Sequence, residues 1–375
     1  MNKTGLYETK MDQATALRAT EHLSTVLLLD VPAGTQFGLD GQCFVVGEKF
    51  RGVKMIHPGV HFLSTNNTSQ SCISAPVSFF CFFDRQSILV RQWNPETEQL
   101  EEFQDVDQEE RLRQGVRRFE FDDGLAPWNA SHWSQWKTLS GWITQQTRDR
   151  IMNGLTLISV AEEARGTEGL SRSVPSEAAL IEQLEKNADQ VQQGQKLNYK
   201  EFPALIKEQG CQASELSAMN LDKTGKLSAI LRDCYGNDWK QLLGEMQFAF
   251  VVFFFGQSLQ SLEQWKLMLH LLLGCFDGAC TFPELFSHFL KALRHQLQFL
   301  LRNDNESLDE AAELLSNSFL KADLTEFIRC EMAEDSGLSD AVRKECTRLA
   351  SLVLEKLQWN LEDVEDGEYA PTVVT

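Results

Sequence analysis

Apolar and polar positions change their pattern along the chain, and the changes mark its architecture. Residues 1–22 are polar and mixed in charge, with no apolar signal core in Met1–Thr20, and predict a flexible or helical lead-in. From Leu23 the texture becomes that of strands. Leu23–Val31 is a β-rich apolar run stopped by Pro32-Ala33-Gly34. Gln42–Val46, Arg51–Ile56 and Val60–Ser64 follow, the last two separated by the turn His57-Pro58-Gly59. Val77–Phe83 and Ile88–Trp93 complete the set. Short strands punctuated by turn residues predict a sandwich or small barrel. V-S-F-F-C-F-F at Val77–Phe83 has almost no polar position, so both of its faces should be covered.

The period then shifts to that of helices. Trp133, Trp136, Leu139, Trp142 and Ile143 recur at helical spacing and predict an amphipathic helix packed on the β-domain. Glu162–Pro175 reads as a linker, and Pro175-Ser176 as the start of a helix carrying Leu180, Ile181, Leu184, Ala188 and Val191. Tyr199–Ile206 and Leu221–Leu231 suggest shorter elements. Trp239–Gly256 predicts the most buried helix, followed at once by Leu259–Leu273. Its most apolar stretch, Met246–Phe255, is far short of the roughly 20 residues that span a bilayer. Thr281-Phe282-Pro283-Glu284 and Ser307-Leu308-Asp309-Glu310 have the form of capping boxes, and Val342, Cys346, Leu349, Val353 and Leu357 stripe a last helix over Ser339–Leu357. The domains expected are the lead-in 1–22, a β-sandwich-like domain with its packed helix over 23–160, a polar linker and helix over 161–195, an α-helical domain over 196–361, and an acidic tail with a β-prone end over 362–375.

Composition narrows the function classes. An apolar fraction of 42 %, with 24 Phe and 8 Trp, supports sizeable cores. A formal charge of −19 repels phosphate backbones and anionic membranes and suits basic protein partners. The nine Cys are scattered without a C-x-x-C and are expected as reduced thiols packed as small hydrophobes, in a cytoplasmic or nuclear compartment. Eight carboxylates lie between Glu96 and Glu110, either as a solvated loop and helix surface or as a contact for a basic partner.

Searches for reactive constellations nominate no catalytic residue, cofactor-binding residue or metal ligand. G-x-S-x-G and H-E-x-x-H are absent. His57 and His61 are four apart, but on a strand–turn–strand, where that spacing does not share a face as it would on a helix. His288 and His295 read as surface or core-edge histidines. Thr224-Gly225-Lys226-Leu227-Ser228 lacks the glycine five residues before its Gly-Lys pair, since position 220 is Asn, so it is not a phosphate loop. The Trp239–Leu273 hairpin has no second copy at a period of about 34 residues that would make it a repeat.

Two segments carry a specific resemblance. The first runs Gly34-Thr35-Gln36-Phe37-Gly38-Leu39-Asp40, then Val46-Gly47-Glu48-Lys49-Phe50-Arg51-Gly52-Val53-Lys54-Met55-Ile56 and Pro58-Gly59-Val60-His61-Phe62-Leu63. The second runs Leu243-Gly244-Glu245-Met246-Gln247-Phe248-Ala249-Phe250 and on through Gly256 to Glu263, Trp265 and Lys266. Together with the ending Ala370-Pro371-Thr372-Val373-Val374 they resemble the AAR-two splicing-factor family, assembly factors of the U-five small nuclear ribonucleoprotein. Residues 96–125 and 162–193 match it poorly.

The resemblance implies an α+β multidomain protein, with an N-terminal β-sandwich-like domain followed by a C-terminal all-α superhelical domain. It also implies a non-catalytic, chaperone-like role in mRNA splicing. Such proteins hold the large central scaffold protein of the U-five particle through its RNase H-like region and delay recruitment of an RNA helicase. On that reading the chain needs no cofactor, touches neither nucleic acid nor membrane directly, is a monomer in isolation, and is found in cytoplasm and nucleus.

Two stretches are candidate partner contacts. Arg51 and Lys54 set two cations beside Gly52; the alternative is that Gly38, Gly47, Gly52 and Gly59 shape turns in a sandwich packed around Phe50 and Phe62. Thr372, Val373, Val374 and Thr375, behind an acidic spacer, either add a strand to a partner's sheet edge or fray as an ordinary terminus. The competing functions are a helical adaptor in vesicle or ubiquitin pathways, betrayed by peptide binding in a helical groove, and a hydrolase with a hidden site, betrayed by a pocket of convergent polar groups.

Overall fold

The computed structural model describes residues 13–66, 68–69, 72–73, 76–159, 196–202, 222–301, 320–331 and 337–359. These fall into two compact units. The first holds residues 13–159, 196–198 and 251–261, and the second holds 199–202, 222–250 and the described residues from 262 onward.

The first unit is β-rich and opens with helix α1 (Gln13–His22). Its strands come in the order β1 (Ser24–Leu29), β2 (Gln36–Leu39), β3 (Gln42–Val45), β4 (Gly52–Ile56), β5 (Gly59–Asn66), the short β6 (Thr68–Ser69) and β7 (Cys72–Ile73), β8 (Val77–Phe83), β9 (Ile88–Asn94) and β10 (Gln99–Glu102). Helix α2 (Val106–Arg117), β11 (Leu125–Pro127), helices α3 (Trp133–Ser140) and α4 (Gln145–Met152), and β12 (Ile158–Ser159) follow. They build two five-stranded sheets, β10-β9-β1-β4-β11 and β12-β8-β5-β2-β3.

Both β1 and β8 are interior strands, and both are covered on two faces, as their largely apolar sequences require. Between the sheets lies one core of Val26, Leu28, Phe37, Leu39, Leu63, Phe79 and their neighbours, drawn from both sheets. On the other side of the first sheet, Leu27, Val90 and Leu125 pack against Leu112 and Val116 of α2. On the other side of the second sheet, Phe62 stacks edge-on to Phe80 with ring centres 4.9 Å apart. Trp136 of α3 donates its indole N–H to the Val60 carbonyl at 2.7 Å, and Phe255 reaches both Phe62 and Trp136. The sandwich therefore carries a covering layer on each side. Turn chemistry fixes the β2–β3 hairpin: Asp40 and Gly41 both have positive φ, the two-residue connection that matches strand twist.

The second unit is helical: α5 (Thr224–Tyr235), α6 (Trp239–Gly256), α7 (Leu259–Leu273), α8 (Gly278–Thr281), α9 (Pro283–Leu300), α10 (Leu320–Glu331) and α11 (Asp340–Leu357). The last residues of α6 and the first of α7 belong to the first unit. Phe286 of α9 stacks on Phe327 of α10 at 5.9 Å, and Arg294 of α9 pairs with Glu345 of α11 at 3.1 Å. Ser339 caps α11 by accepting the Val342 N–H. The start of α9 differs from the capping box expected at Thr281. Phe282 is its N-cap and Pro283 its first residue, while the Thr281 hydroxyl donates back to the Asp277 carbonyl. Proline's fixed φ starts this helix without a side-chain cap. Cys81, Cys275 and Cys346 are buried thiols as expected, but Cys43 and Cys280 are exposed. Among the described residues no helix is long and apolar enough to cross a membrane. The capping box at Ser307 and the linker helix after Pro175 lie outside the described residues.

Candidate functional site

The Arg51–Lys54 stretch enters β4 through an irregular backbone. Gly52 has φ +132°, and a Cβ there would come within 2.0 Å of the Val26 carbonyl oxygen, so only glycine lets β4 approach β1 this closely. The β1–β4 register then slips between Ser24 and Val26, and Met55 takes φ +65° at the bulge. Arg51 is exposed, its backbone tied on both sides: its N–H donates to the Gly124 carbonyl, and its carbonyl accepts from Leu28, each at 2.8 Å. Lys54 is different. Its side chain is only 12 % exposed and its ammonium pairs with Asp122. The structure thus separates the two cations, leaving Arg51 on the surface and tying Lys54 down inside the unit. Asp122 lies in the poorly patterned stretch after α2, and no sequence signal linked it to Lys54. Of the four glycines expected to shape turns, Gly52 and Gly59 have positive φ, whereas Gly38 lies within β2. Thr372, Val373, Val374 and Thr375 lie outside the described residues.

Beside this stretch is a buried polar pair. Asp40, at the tip of the β2–β3 hairpin, and His61, on β5, have fully buried side chains with Oδ2 and Nδ1 2.7 Å apart. Asp40 Oδ1 accepts the Phe62 N–H at 3.1 Å. His61 Nε2 lies 2.8 Å from the His57 carbonyl. A carbonyl only accepts, so Nε2 carries a hydrogen, and one proton lies between Nδ1 and the Asp40 carboxyl. Burial raises the Asp40 pKa, outweighing the attraction of His61 and the hydrogen bonds. Rings enclose the pair: Trp133 stacks on both His57 and His61, at 5.1 and 5.7 Å, and Trp128 and Phe83 meet His61 edge-on. With both ring nitrogens engaged, His61 has no lone pair for a metal. Its two partners hold the hairpin tip and the β4–β5 turn onto the sheet.

In the helical unit the residues of the second motif are also internal. Glu245 is fully buried and accepts the Lys200 N–H at 2.9 Å and the Gln264 side-chain N–H at 3.0 Å. Gln264 in turn donates to the Lys200 carbonyl at 3.2 Å. Trp265 donates to Gln296 at 3.0 Å, and its ring lies 5.6 Å from that of Phe250. These groups clamp the Lys200 backbone and hold helices together. At the Thr224-Gly225-Lys226 stretch, Asp222 Oδ1 accepts the Thr224 and Phe276 N–H groups, at 3.2 and 2.7 Å. A carboxylate therefore occupies the helix start that a phosphate would need. His288 stacks on Trp239 at 5.4 Å, with its pKa lowered by burial and by Lys291.

Comparison with known proteins finds two consecutive matches along the chain. A family model described as the AAR2 N-terminal domain matches residues 22–153, and one described as the AAR2 C-terminal repeat region matches residues 199–362. A Caenorhabditis elegans protein named Protein AAR2 homolog is 28 % identical over 355 residues, covering 89 % of this chain and 94 % of the relative. Proteins of the same name from Homo sapiens and Mus musculus are 26 % and 25 % identical, each covering 97 % of both chains.

Proposed function

The chain belongs to the AAR2 family, and on that premise we propose that it is a non-catalytic assembly factor of the spliceosomal U-five small nuclear ribonucleoprotein. It holds the large scaffold protein of that particle through the RNase H-like region and so delays helicase recruitment. The observation that carries the reading is the family match, which spans residues of both units. Asp40, His61 and Glu245 are spent on hydrogen bonds inside the fold.

Arg51 is the exposed cation of the first candidate contact, whereas Lys54 acts through Asp122. The tail Thr372–Thr375 adds a strand to the partner, with the acidic spacer steering it to a basic surface. The protein works as a monomer shared between cytoplasm and nucleus. The test is a pulldown from cell extract comparing the full chain with one ending at Gly367. The full chain should recover the U-five scaffold protein in stoichiometric amount, and the shortened chain about tenfold less or worse. Recovery of no U-five protein by the full chain overturns the reading.

A further inference from the structure

Four strands form the edges of the two large sheets, and three of them are closed to further pairing. β10 carries Glu101 and Glu102, each bonded to a neighbour within the unit. β11 is three residues long and ends in Pro127. β12 has only two residues. Charge, proline and shortness are the usual means of blocking an edge. β3, Gln42-Cys43-Phe44-Val45, has no charge and no proline.

Its open groups can be read from the ladder. β3 pairs with β2 in antiparallel register, Gln36 opposite Val45 and Leu39 opposite Gln42. Just beyond, the Val46 N–H donates to the Thr35 carbonyl, and the Val46 carbonyl accepts the Gly34 N–H. Inward and outward residues alternate along such a strand. Gln42, Phe44 and Val46 therefore point their backbone groups at β2, and Cys43 and Val45 point theirs away from the sheet. The same two residues have exposed side chains, Val45 to 71 %, while Phe44 packs on the core. Among the described residues nothing pairs with that edge.

We propose that the outer edge of β3 is a docking strand that receives an extended, uncharged segment of the scaffold protein as a sixth strand of the sheet. The occupant follows from the edge itself. Two N–H and two C=O groups in a row ask for a backbone in strand conformation, and the exposed Cys43 and Val45 side chains ask for apolar positions on the same face. Those few bonds alone make a contact of the millimolar class, too weak to hold two copies of this chain together. They add usefully only to an interface anchored elsewhere, which a large scaffold partner provides. The inference rests on the function proposed above.

Val45→Pro tests it, because proline removes an outward N–H that the fold does not use and is tolerated at an open edge. Affinity for the recombinant RNase H-like region of the scaffold, with its neighbouring domains, should fall about tenfold. Val45→Thr keeps the N–H and the strand preference and should stay within about threefold of the parent. In the complex, the Cys43 and Val45 amides should gain protection from hydrogen exchange. If the parent chain does not bind the scaffold, the functional reading and the docking strand both fall. If it binds and Val45→Pro binds equally well, the docking strand alone falls. Should Val45→Pro fail to fold, the amide exchange of the parent decides, and unprotected Cys43 and Val45 amides overturn the proposal.

Discussion

Replacing Asp40 separates two roles of the buried pair. Asp40→Ala removes the acceptor of the Phe62 N–H and the partner of His61 Nδ1, both inside the core. Each orphaned group costs about 1–3 kcal/mol, so the variant should lose about 2–6 kcal/mol. Asp40→Asn keeps the shape. Its Oδ1 still accepts from Phe62 and its amide donates to neutral His61 Nδ1, so the loss should stay below about 1 kcal/mol. Only the titration disappears. Because burial raises the Asp40 pKa, the stability tied to its protonated form is complete below the ordinary value of 3.8 and is lost as pH rises through the folded value. Above pH 3.8 the parent should therefore lose ground to Asp40→Asn, at up to about 1.4 kcal/mol per pH unit, until the folded carboxyl has ionised. Native-state hydrogen exchange at the Phe62 and Leu63 amides reads the first unit alone, which matters in a chain of two units. An Asn variant as damaged as the Ala variant, or a difference between parent and Asn that does not change with pH, would refute the proton assignment.

Other expectations follow from the same structure. Gly52→Ala should destabilise the first unit by about 3 kcal/mol or more, since it combines an unfavourable φ with a Cβ driven into the Val26 carbonyl; a melting temperature within 2 °C of the parent, about 0.5–1 kcal/mol for a unit of this size, would contradict this. Burial works against the Glu345 carboxylate, but the hydrogen bonds from Arg348 and Arg294 outweigh it and lower the pKa. Its contribution is present above the ordinary value of 4.5 and is lost as pH falls through the folded value. Glu345→Gln should cost about 2 kcal/mol at pH 7 and less at pH 3, measured by exchange at amides of α11.

How much was legible depended on whether a signal was local. The largely apolar runs at Val77–Phe83 and Trp239–Gly256 announced a central strand and a buried helix, because burial on all sides leaves few polar positions to confuse the period. β2, Gln-Phe-Gly-Leu, was missed: four residues with a glycine carry little strand preference, and its place comes from pairing with β5 and β3. The acidic stretch hid β10, and showed α2 only as a helix surface, because its polar faces mask a narrow apolar stripe of Leu112 and Val116. At the candidate site, the cations Arg51 and Lys54 were visible. Their opposite fates were not, since Asp122 stands 68 residues from Lys54 and reaches it only through the fold. His61 is visible by its spacing to His57, whose carbonyl it does meet, but its second partner Asp40 lies on a neighbouring strand's hairpin, beyond any local signal.

The ring of Phe255, seated against Gly41, Phe62 and Trp136, has a consequence for how the protein is made. The outer layer of the second sheet waits for residues that leave the ribosome roughly 100 positions after the last strand, about ten seconds later at typical rates of synthesis. During that interval Phe62 and Trp136 are without a lid, in a nascent chain whose sheets are otherwise complete. A fragment ended just after β12 would be left permanently in that state, prone to clump through the uncovered rings.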